Sequence, residues 1–589
     1  MADSKNKLRD FFIFREPKDY KEFVLTEDKQ SEKRSCQQSE EKPKKNRGLI
    51  KKLIMPETDQ SSVRSSDLEC LEKTKNEDKK DSKKLKINKD IKVSLEYMKK
   101  VYSVPKNGDM VVREFEIVFR DKMVPAFLMY FDGLADRNLI NESVLKPLML
   151  LSNLEIKGDD NNVVDYVKNH LLHQGQITLT DDYEKVIFMI NFGGCGIFID
   201  GVNTAFAADV KGWEHRGVEK PSTELVIRGP QEGFGEILRV NTALVRKILK
   251  DDNLIVEDII IGKRSQTPCS MLYIKDIAND SLVDEVRRRL EGVKIDHLFD
   301  SGELEQLIED NTYFLSPQVM STERPDRVAR YLSDGKISII INGSPFALIV
   351  PATLWDFLHS SEDEYIRFPY ANLLRGVRIL AIIITLFLPG LYIAITNYHH
   401  EMIPTDLLLA IEASREKVPF PSLIELLIME VSFELIREAG IRIPGPIGPT
   451  LGIIGALILG QAAVSANIVS PILIIIVAVT GIGSFAIPNF SLAYSFRLQR
   501  FAYIALGAIS GFLGISIGLF IQVIWMANSK SFGVPYLVPF APPTSDVNGG
   551  QVFRRNIWKQ ETRPDDLNVK SKKKQPSISR RWKYNKDEN

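Results

Sequence analysis

The sequence predicts an α+β or α/β cytoplasmic part built of two similar small α/β subdomains, followed by an α-helical multi-pass membrane domain. Three observations predict it. Formal charge sums to zero over 589 residues, yet it is segregated: residues 1–90 and 550–589 are rich in Lys and Arg, while 379–526 is mostly apolar. A strand–helix–strand pattern occurs twice between residues 91 and 370. Beyond it lie apolar runs long enough to cross a bilayer. The length exceeds one compact domain and calls for two or three folding units. The four cysteines, Cys36, Cys70, Cys195 and Cys269, are scattered without a CxxC pair. That argues for a reducing compartment and against a disulfide or zinc framework. The N-terminus shows no sustained apolar core, so no signal peptide is expected.

Residues 1–88 are Lys/Glu/Ser-rich, with a short helix conceivable over 48–55. Such a stretch buries too little apolar surface to offset chain entropy, so a disordered tail is expected. The first subdomain is assigned to 89–235 and the second to 236–370. In the first, strand signals at 116–119 and 124–131 precede a helical stretch over 138–151. A second strand pair is read at 185–191 and 196–200, turned by Gly193-Gly194. The order then returns: VPAFLMYFDGLADRNLINESVLKPL, from Val124, aligns with TPCSMLYIKDIANDSLVDEVRRRL, from Thr267. Tyr130 falls on Tyr273, Ala135 on Ala278, Leu139 on Leu282 and Glu142 on Glu285. KVIFMINFGGCGIFID, from Lys185, echoes KISIIINGSPFALIV, from Lys336. A unit repeated after roughly 145 residues is too long for a solenoid period and reads as two copies of one small domain.

Between the copies, Arg228, Gly229 and Pro230, then Glu232, Gly233, Phe234 and Gly235, form a turn-rich loop opening a helix near Glu236. Such a loop can cradle an anion on free amides, but this one lacks the spacing and Lys of a P-loop. A structural hinge that docks the two copies is the preferred reading.

The membrane domain is assigned to 371–530. Residues 377–396 supply about 20 apolar positions, enough for roughly 30 Å of hydrocarbon, with a kink expected at Pro389-Gly390. Arg367, Arg375 and Arg378 precede this span and place the α/β part in the cytoplasm. An amphipathic pair, 404–416 and 420–440, follows. Further spans are read at 447–464, 468–487 and 501–526. The last carries Gly507, Gly511, Gly514 and Gly518, small residues that let helix backbones approach closely in lipid. Four spans return the tail, 531–589, to the cytoplasm; it reads as basic and largely disordered.

At 100° per residue, the helix over 420–440 gathers Glu430, Glu434, Glu438 and Arg437 on one face, with Glu425 opposite. Ionised carboxylates among apolar neighbours cost several kcal/mol unless they meet water or a partner. One reading is an ion or proton path. Another is an amphipathic helix lying on the membrane surface. A third is pairing of Glu434 and Glu438 with Arg437, or with Arg442 beyond the helix.

No GxSxG elbow, P-loop or HExxH occurs, and apart from His399-His400 the seven histidines do not cluster at ligand spacing. Asp132 and Asp136 resemble paired acids, but the second copy carries Lys275 and Asn279 there, so a turn after a buried strand explains them. No enzyme, cofactor or metal site is expected. A solute carrier would show inverted repeats of broken helices, whereas here the repeat lies in the soluble part. A membrane-anchored scaffold stays open if the acidic helix is surface-bound.

The run PFPSLIELLIMEVSFELIREAGIRIPGPIGPTLGIIGALILGQAAVSANIVSP resembles the A subunits of the GerA-type spore germinant receptors of endospore-forming bacteria. So do VIRGPQEGFGE and SFGVPYLVPFAP. The resemblance covers about 91–543; Gln231 stands where the family more usually has a basic residue. It implies a polytopic protein of the spore inner membrane working with a transporter-like B subunit and a lipoprotein C subunit. It also implies an oligomeric, nutrient-gated cation channel. The expected partners are those subunits, further copies of the chain and membrane lipid, with no nucleic acid. In a ring, Glu430, Glu434 and Glu438 would stack acidic rings that favour cations. Gln461, Ser465 and Asn467 would sit at a tight turn, and Val464 either gates as an apolar constriction or simply packs.

Overall fold

A computed structural model describes residues 25, 86–119, 122–150, 163–172, 177–210, 212, 221, 223–441, 455, 458–544 and 551–575. The expected N-terminal tail, the helix over 48–55 and the Pro/Gly run after Gly440 lie almost wholly outside these residues.

Two five-stranded antiparallel sheets form the α/β part. The first runs β1 (Met110–Phe119), β2 (Lys122–Phe131), β4 (Cys195–Ile199), β5 (Ala205–Ala208) and β3 (Ile177–Thr180). The second runs β6 (Leu254–Ile261), β7 (Thr267–Ile274), β9 (Ile337–Ile341), β10 (Ala347–Val350) and β8 (Met320–Thr322), the same order. Phe131 opposes Met110 as Ile274 opposes Leu254, so Tyr130 and Tyr273 occupy matching places. Asp136 and Asn279 both cap the helix that follows, accepting from Asn138 and Leu139 N–H and from Ser281 N–H respectively. Asp132 is held by Arg137 at 2.5 Å. The helical stretch after Asp136 is three pieces, Arg137–Leu139, a π segment Ile140–Leu145, and Lys146–Leu150.

The expected strand at 185–191 is a correction: Tyr183–Asn191 is a helix, capped by the Asp182 carboxylate on Glu184 N–H. Its buried residues, Tyr183, Val186 and Ile190, fall on one helical face, and packing under the sheet overrides the β-like composition of VIFMI. The second copy has helix Pro325–Asp334 in that place before β9. The strand ISIII of β9 therefore corresponds to CGIFI of β4, one element later than the sequence echo suggests.

The two sheets are joined through the helix Leu238–Ile248 and the turn before β1. Arg246 is buried; its guanidinium donates to Asp109 at 2.5 and 2.8 Å, to Asn107 Oδ1 at 3.1 Å and to Leu254 O at 3.1 Å. Gly108 N–H donates to Val256 O across the same seam, and Arg239 pairs with Asp258 at 2.6 Å.

Among the described residues, two helices are long and apolar enough to cross a bilayer, Phe368–Tyr398 and Phe490–Asn528, and Pro471–Phe485 is a shorter apolar helix. Phe368–Tyr398 runs through Pro389 as one element. Phe490–Asn528 is not one span but a helical hairpin, which corrects the single span read at 501–526. Gly511 breaks it at φ 57°, ψ −137°. Gln522 Nε2 donates to Gln499 Oε1 at 2.6 Å, whereas those residues would stand about 35 Å apart along a straight helix. Tyr503 O–H donates to the same Gln522 side chain, and Gln499 donates to Ser495 Oγ, forming a polar ladder between the arms. Each arm is roughly 25–30 Å long by helical rise. At the bend, Tyr398 O–H donates to Ala508 O and Ile509 O, and Phe512 N–H donates to His399 Nε2. These two residues thus satisfy backbone groups freed by the break, as apolar surroundings require. Halfway along, Gly390 and Gly507 meet: a Cβ on Gly507 would lie 2.6 Å from Gly390 O.

Gly511 sits in backbone space that side chains rarely adopt. Gly511→Val is expected to cost about 1–3 kcal/mol and to straighten the hairpin. Loss of a disulfide engineered between positions 499 and 522 would report it.

Both hairpin ends return to the second sheet. Ser495 lies 3.4 Å from Ser316, and Trp525 packs edge-on against Phe314. After the hairpin, Phe532 and Tyr536 are fully buried in the α/β part, Asp310 accepts from Phe532 N–H at 2.6 Å, and Ser531 Oγ donates to Gln318 O. The expectation of a largely disordered tail is corrected over 551–575. Arg554 is buried and donates to the Asp363, Glu364 and Ile366 carbonyls; Leu567 and Val569 enter the core of the second subdomain. Composition hides this because the anchors are single residues among many lysines.

On helix Ser301–Ile308, burial and the neighbouring Glu309 push the Glu305 carboxyl up to about 7, and burial beside Asp310 does the same to Glu309. A raised folded-state value means that stability falls as pH rises from about 4.5 towards 7 and then levels. Glu305→Gln should remove part of that fall, so its melting temperature should exceed that of the unmodified chain at pH 8 but not at pH 5.

Candidate functional site

The helix Ser422–Ile441 is tied at its start to the end of Phe368–Tyr398, where Ser422 Oγ donates to Asn397 Oδ1 at 2.9 Å. Leu426 and Met429 are buried with Leu473, Val477 and Ile504, so one face of the helix seats against Pro471–Phe485 and the first hairpin arm. That seating fixes where the acids point.

Glu430 is fully buried, with Oε2 2.8 Å from Arg500 Nη2. Glu434, one turn on, reaches the same Arg500 nitrogen at 3.0 Å, touches Arg437, and lies 4.0 Å from Arg497. Its side chain is 31% exposed while those of Arg437, Arg497 and Arg500 are 9, 8 and 1% exposed. Glu438 is exposed. Glu425 is also fully buried: it accepts from Ser470 N–H at 3.1 Å, and Arg415 lies 3.6 Å away. Ser470 precedes the first turn of Pro471–Phe485, so this carboxylate sits at the positive end of a helix.

Glu430 and Glu434 thus meet guanidiniums 60 to 70 positions away, Glu434 also meets Arg437 on its own helix, and Glu438 stays exposed. Opposite charges at contact distance in apolar surroundings hold each other strongly, and removing one strands the other. While the helices stay together, this latch of opposite charges keeps its carboxylates neutralised.

Gln461 is exposed, and Val464 packs at the edge of the cluster around Leu426 and Leu473. Asn467, at φ 55°, closes the preceding helix in the left-handed conformation. In the inter-copy loop, Arg228 is exposed, Gly229 lies at φ 132° against the Tyr365 ring, and Gly233 is buried. Pro230 O accepts from Arg324 at 2.7 Å, and Glu232 pairs with Lys247 at 2.6 Å. Glu224 accepts from Thr322 Oγ1 and pairs with Arg327, both at 2.6 Å. The loop is therefore fastened to the second subdomain, while Arg246 and Asp109 join the two copies.

Sequence reasoning found the glutamates, Glu425 among them, and offered Arg437 as a partner of Glu434, but it did not find Arg497 and Arg500 as partners, nor the roles of Tyr398 and His399 at the bend. The available signal was charge inside an apolar run, which marks function by default; the pairing itself has no local signature.

Comparison with known proteins places this arrangement. Residues 96–566 match the model of the family described as Bacillus/Clostridium GerA spore germination protein. Spore germination protein KA of Bacillus subtilis (strain 168) is 40% identical over 472 residues, covering 80% of this chain and 86% of that protein. The uncharacterized membrane protein YfkQ of the same organism is 38% identical, covering 78% of this chain and 88% of that one. The crystal structure of the N-terminal domain of the A subunit of the Bacillus megaterium spore germinant receptor GerK3 shares 28% identity and a TM-score of 0.36. That match covers 46% of this chain and 98% of that domain. On the family match and the identity to the Bacillus subtilis germination protein KA, the chain belongs to the GerA family of spore germination proteins.

Proposed function

We propose that this chain is the membrane-embedded A subunit of a nutrient-germinant receptor in the spore inner membrane, and that its helical part gates cation passage. In this reading Phe368–Tyr398 crosses away from the cytoplasmic α/β part, and the hairpin crosses and returns. The chain acts as a homo-oligomer with a transporter-like B subunit and a lipoprotein C subunit. The observation that carries the gating reading is the contact of Glu430 and Glu434 with Arg500. At rest the arginines neutralise the acids. A shift of the hairpin, driven through Phe532 and Tyr536 by the second subdomain, parts them and turns carboxylates towards a shared aqueous passage, where acidic groups favour cations.

Spores carrying Glu430→Gln with Glu434→Gln test this. Cation release after nutrient addition should change in rate or selectivity while the receptor still assembles; unchanged release removes the acids from the path. A mechanical coupler without conduction is the second reading, favoured by the full burial of Glu430 against Arg500.

A further inference from the structure

A cavity of about 340 Å³ opens where the α/β part meets the helix ends. It shares Arg437 and Arg497 with the acid–arginine latch and none of its lining with the seam between the sheets. Its walls come from three sources: the inter-copy loop from Thr223 to Val226, the second subdomain through Arg327, Ser360 and Ser361, and the ends of three apolar helices. The last contribute Arg437, the turn from Ser484 to Phe490, and Arg497.

Three guanidiniums line this space: Glu224 holds Arg327 and Glu434 touches Arg437, which leaves Arg497. Arg497 donates through Nε to Ala493 O in its own helix and lies 4.1 Å from the Tyr494 ring centre, while its nearest carboxylate stands 4.0 Å away, beyond hydrogen-bonding distance. The Ser361 hydroxyl is buried without a hydrogen-bond partner. The first turn of a helix, at Phe490, faces the same cavity. A buried hydroxyl without an acceptor and an arginine not held by a carboxylate, set beside the first turn of a helix that Asn489 caps, together suit a phosphate group. The rim is apolar and exposed: Phe485 at 59%, Phe490 at 57% and, just outside, Ile482 at 70%. A soluble anion has no use for such a rim, whereas acyl chains do. Basic pockets between helices on the cytoplasmic side suit anionic lipid headgroups.

We propose that this cavity binds the phosphodiester headgroup of an anionic phospholipid from the cytoplasmic leaflet, with Arg497 and Ser361 as donors and the acyl chains lying along Ile482, Phe485 and Phe490. The bound lipid bridges the inter-copy loop, the acidic helix and the hairpin, so leaflet composition sets how firmly the α/β part is coupled to the helices. This rests on the membrane-spanning reading above.

The test uses the full chain in neutral detergent. Phosphatidylglycerol should raise the melting temperature by several degrees and remain bound in native mass spectrometry, while phosphatidylcholine and inorganic phosphate should do neither. Arg497→Gln should weaken the response by roughly tenfold or more in lipid concentration. If Arg497→Gln does not fold, Ser361→Ala decides, since it removes only an unpartnered hydroxyl, and it should weaken the response. Equal stabilisation by phosphatidylcholine, an equal effect of inorganic phosphate, or an undiminished response in the folded variant overturns the proposal. A chain that washes off membranes in alkaline carbonate would instead overturn the membrane reading, which separates the two failures.

Discussion

Arg246→Ala is expected to undock the two α/β subdomains, at a cost of about 3–5 kcal/mol. The Arg246 side chain is 3% exposed and that of Asp109 1%, so the substitution leaves a carboxylate dry with no other cation in contact among the described residues. It also removes the donor to Asn107 and Leu254 and the guanidinium stacked 3.9 Å from the Phe131 ring centre. An exposed pair such as Lys99–Glu114 is worth about 0–1 kcal/mol, so burial decides the ranking. Arg246→Leu with Asp109→Leu should recover much of the loss, because no charge is then stranded. Melting of the full chain in detergent, followed by limited proteolysis between the sheets, reads both outcomes. A single variant as stable as the unmodified chain contradicts the assigned seam.

Arg500→Leu should be comparably damaging, about 3–5 kcal/mol, but in the helical part. Glu430 loses its cation and stays fully buried, whereas Glu434 keeps Arg437 and partial exposure. The account therefore predicts that adding Glu430→Leu rescues Arg500→Leu better than adding Glu434→Leu does. A double-mutant cycle on melting temperature should give a large coupling for Glu430–Arg500 and a smaller one for Glu434–Arg500. Equal couplings, or none, would mean that the pairs do not hold the acidic helix to the hairpin.

How much of this was legible in the sequence depends on whether the signal is local. The β–α unit after Val124 and its echo after Thr267 could be read because caps and strand register are set by neighbours: Asp136 and Asn279 do the same work at the same place. The run at 185–191 could not, since β-branched and aromatic residues hid a helix that only burial under the sheet selects. One glycine, Gly511, turns a span into a hairpin, yet its sequence context matches that of Gly507 and Gly514, which stay helical. The acids of Ser422–Ile441 announced themselves by their cost in apolar surroundings. Arg437, three positions from Glu434, could be read as a partner, but Arg500 could not, because its contact with Glu430 leaves no trace in spacing.

The most direct test of the latch is cysteine labelling along positions 423–438 in receptor-bearing membranes, using a water-soluble reagent before and after nutrient addition. Cysteines at 430 and 434 should be protected at rest, more fully at 430, and should become reactive once cations flow. Full labelling of position 430 at rest, or protection that persists while cations pass, would contradict it.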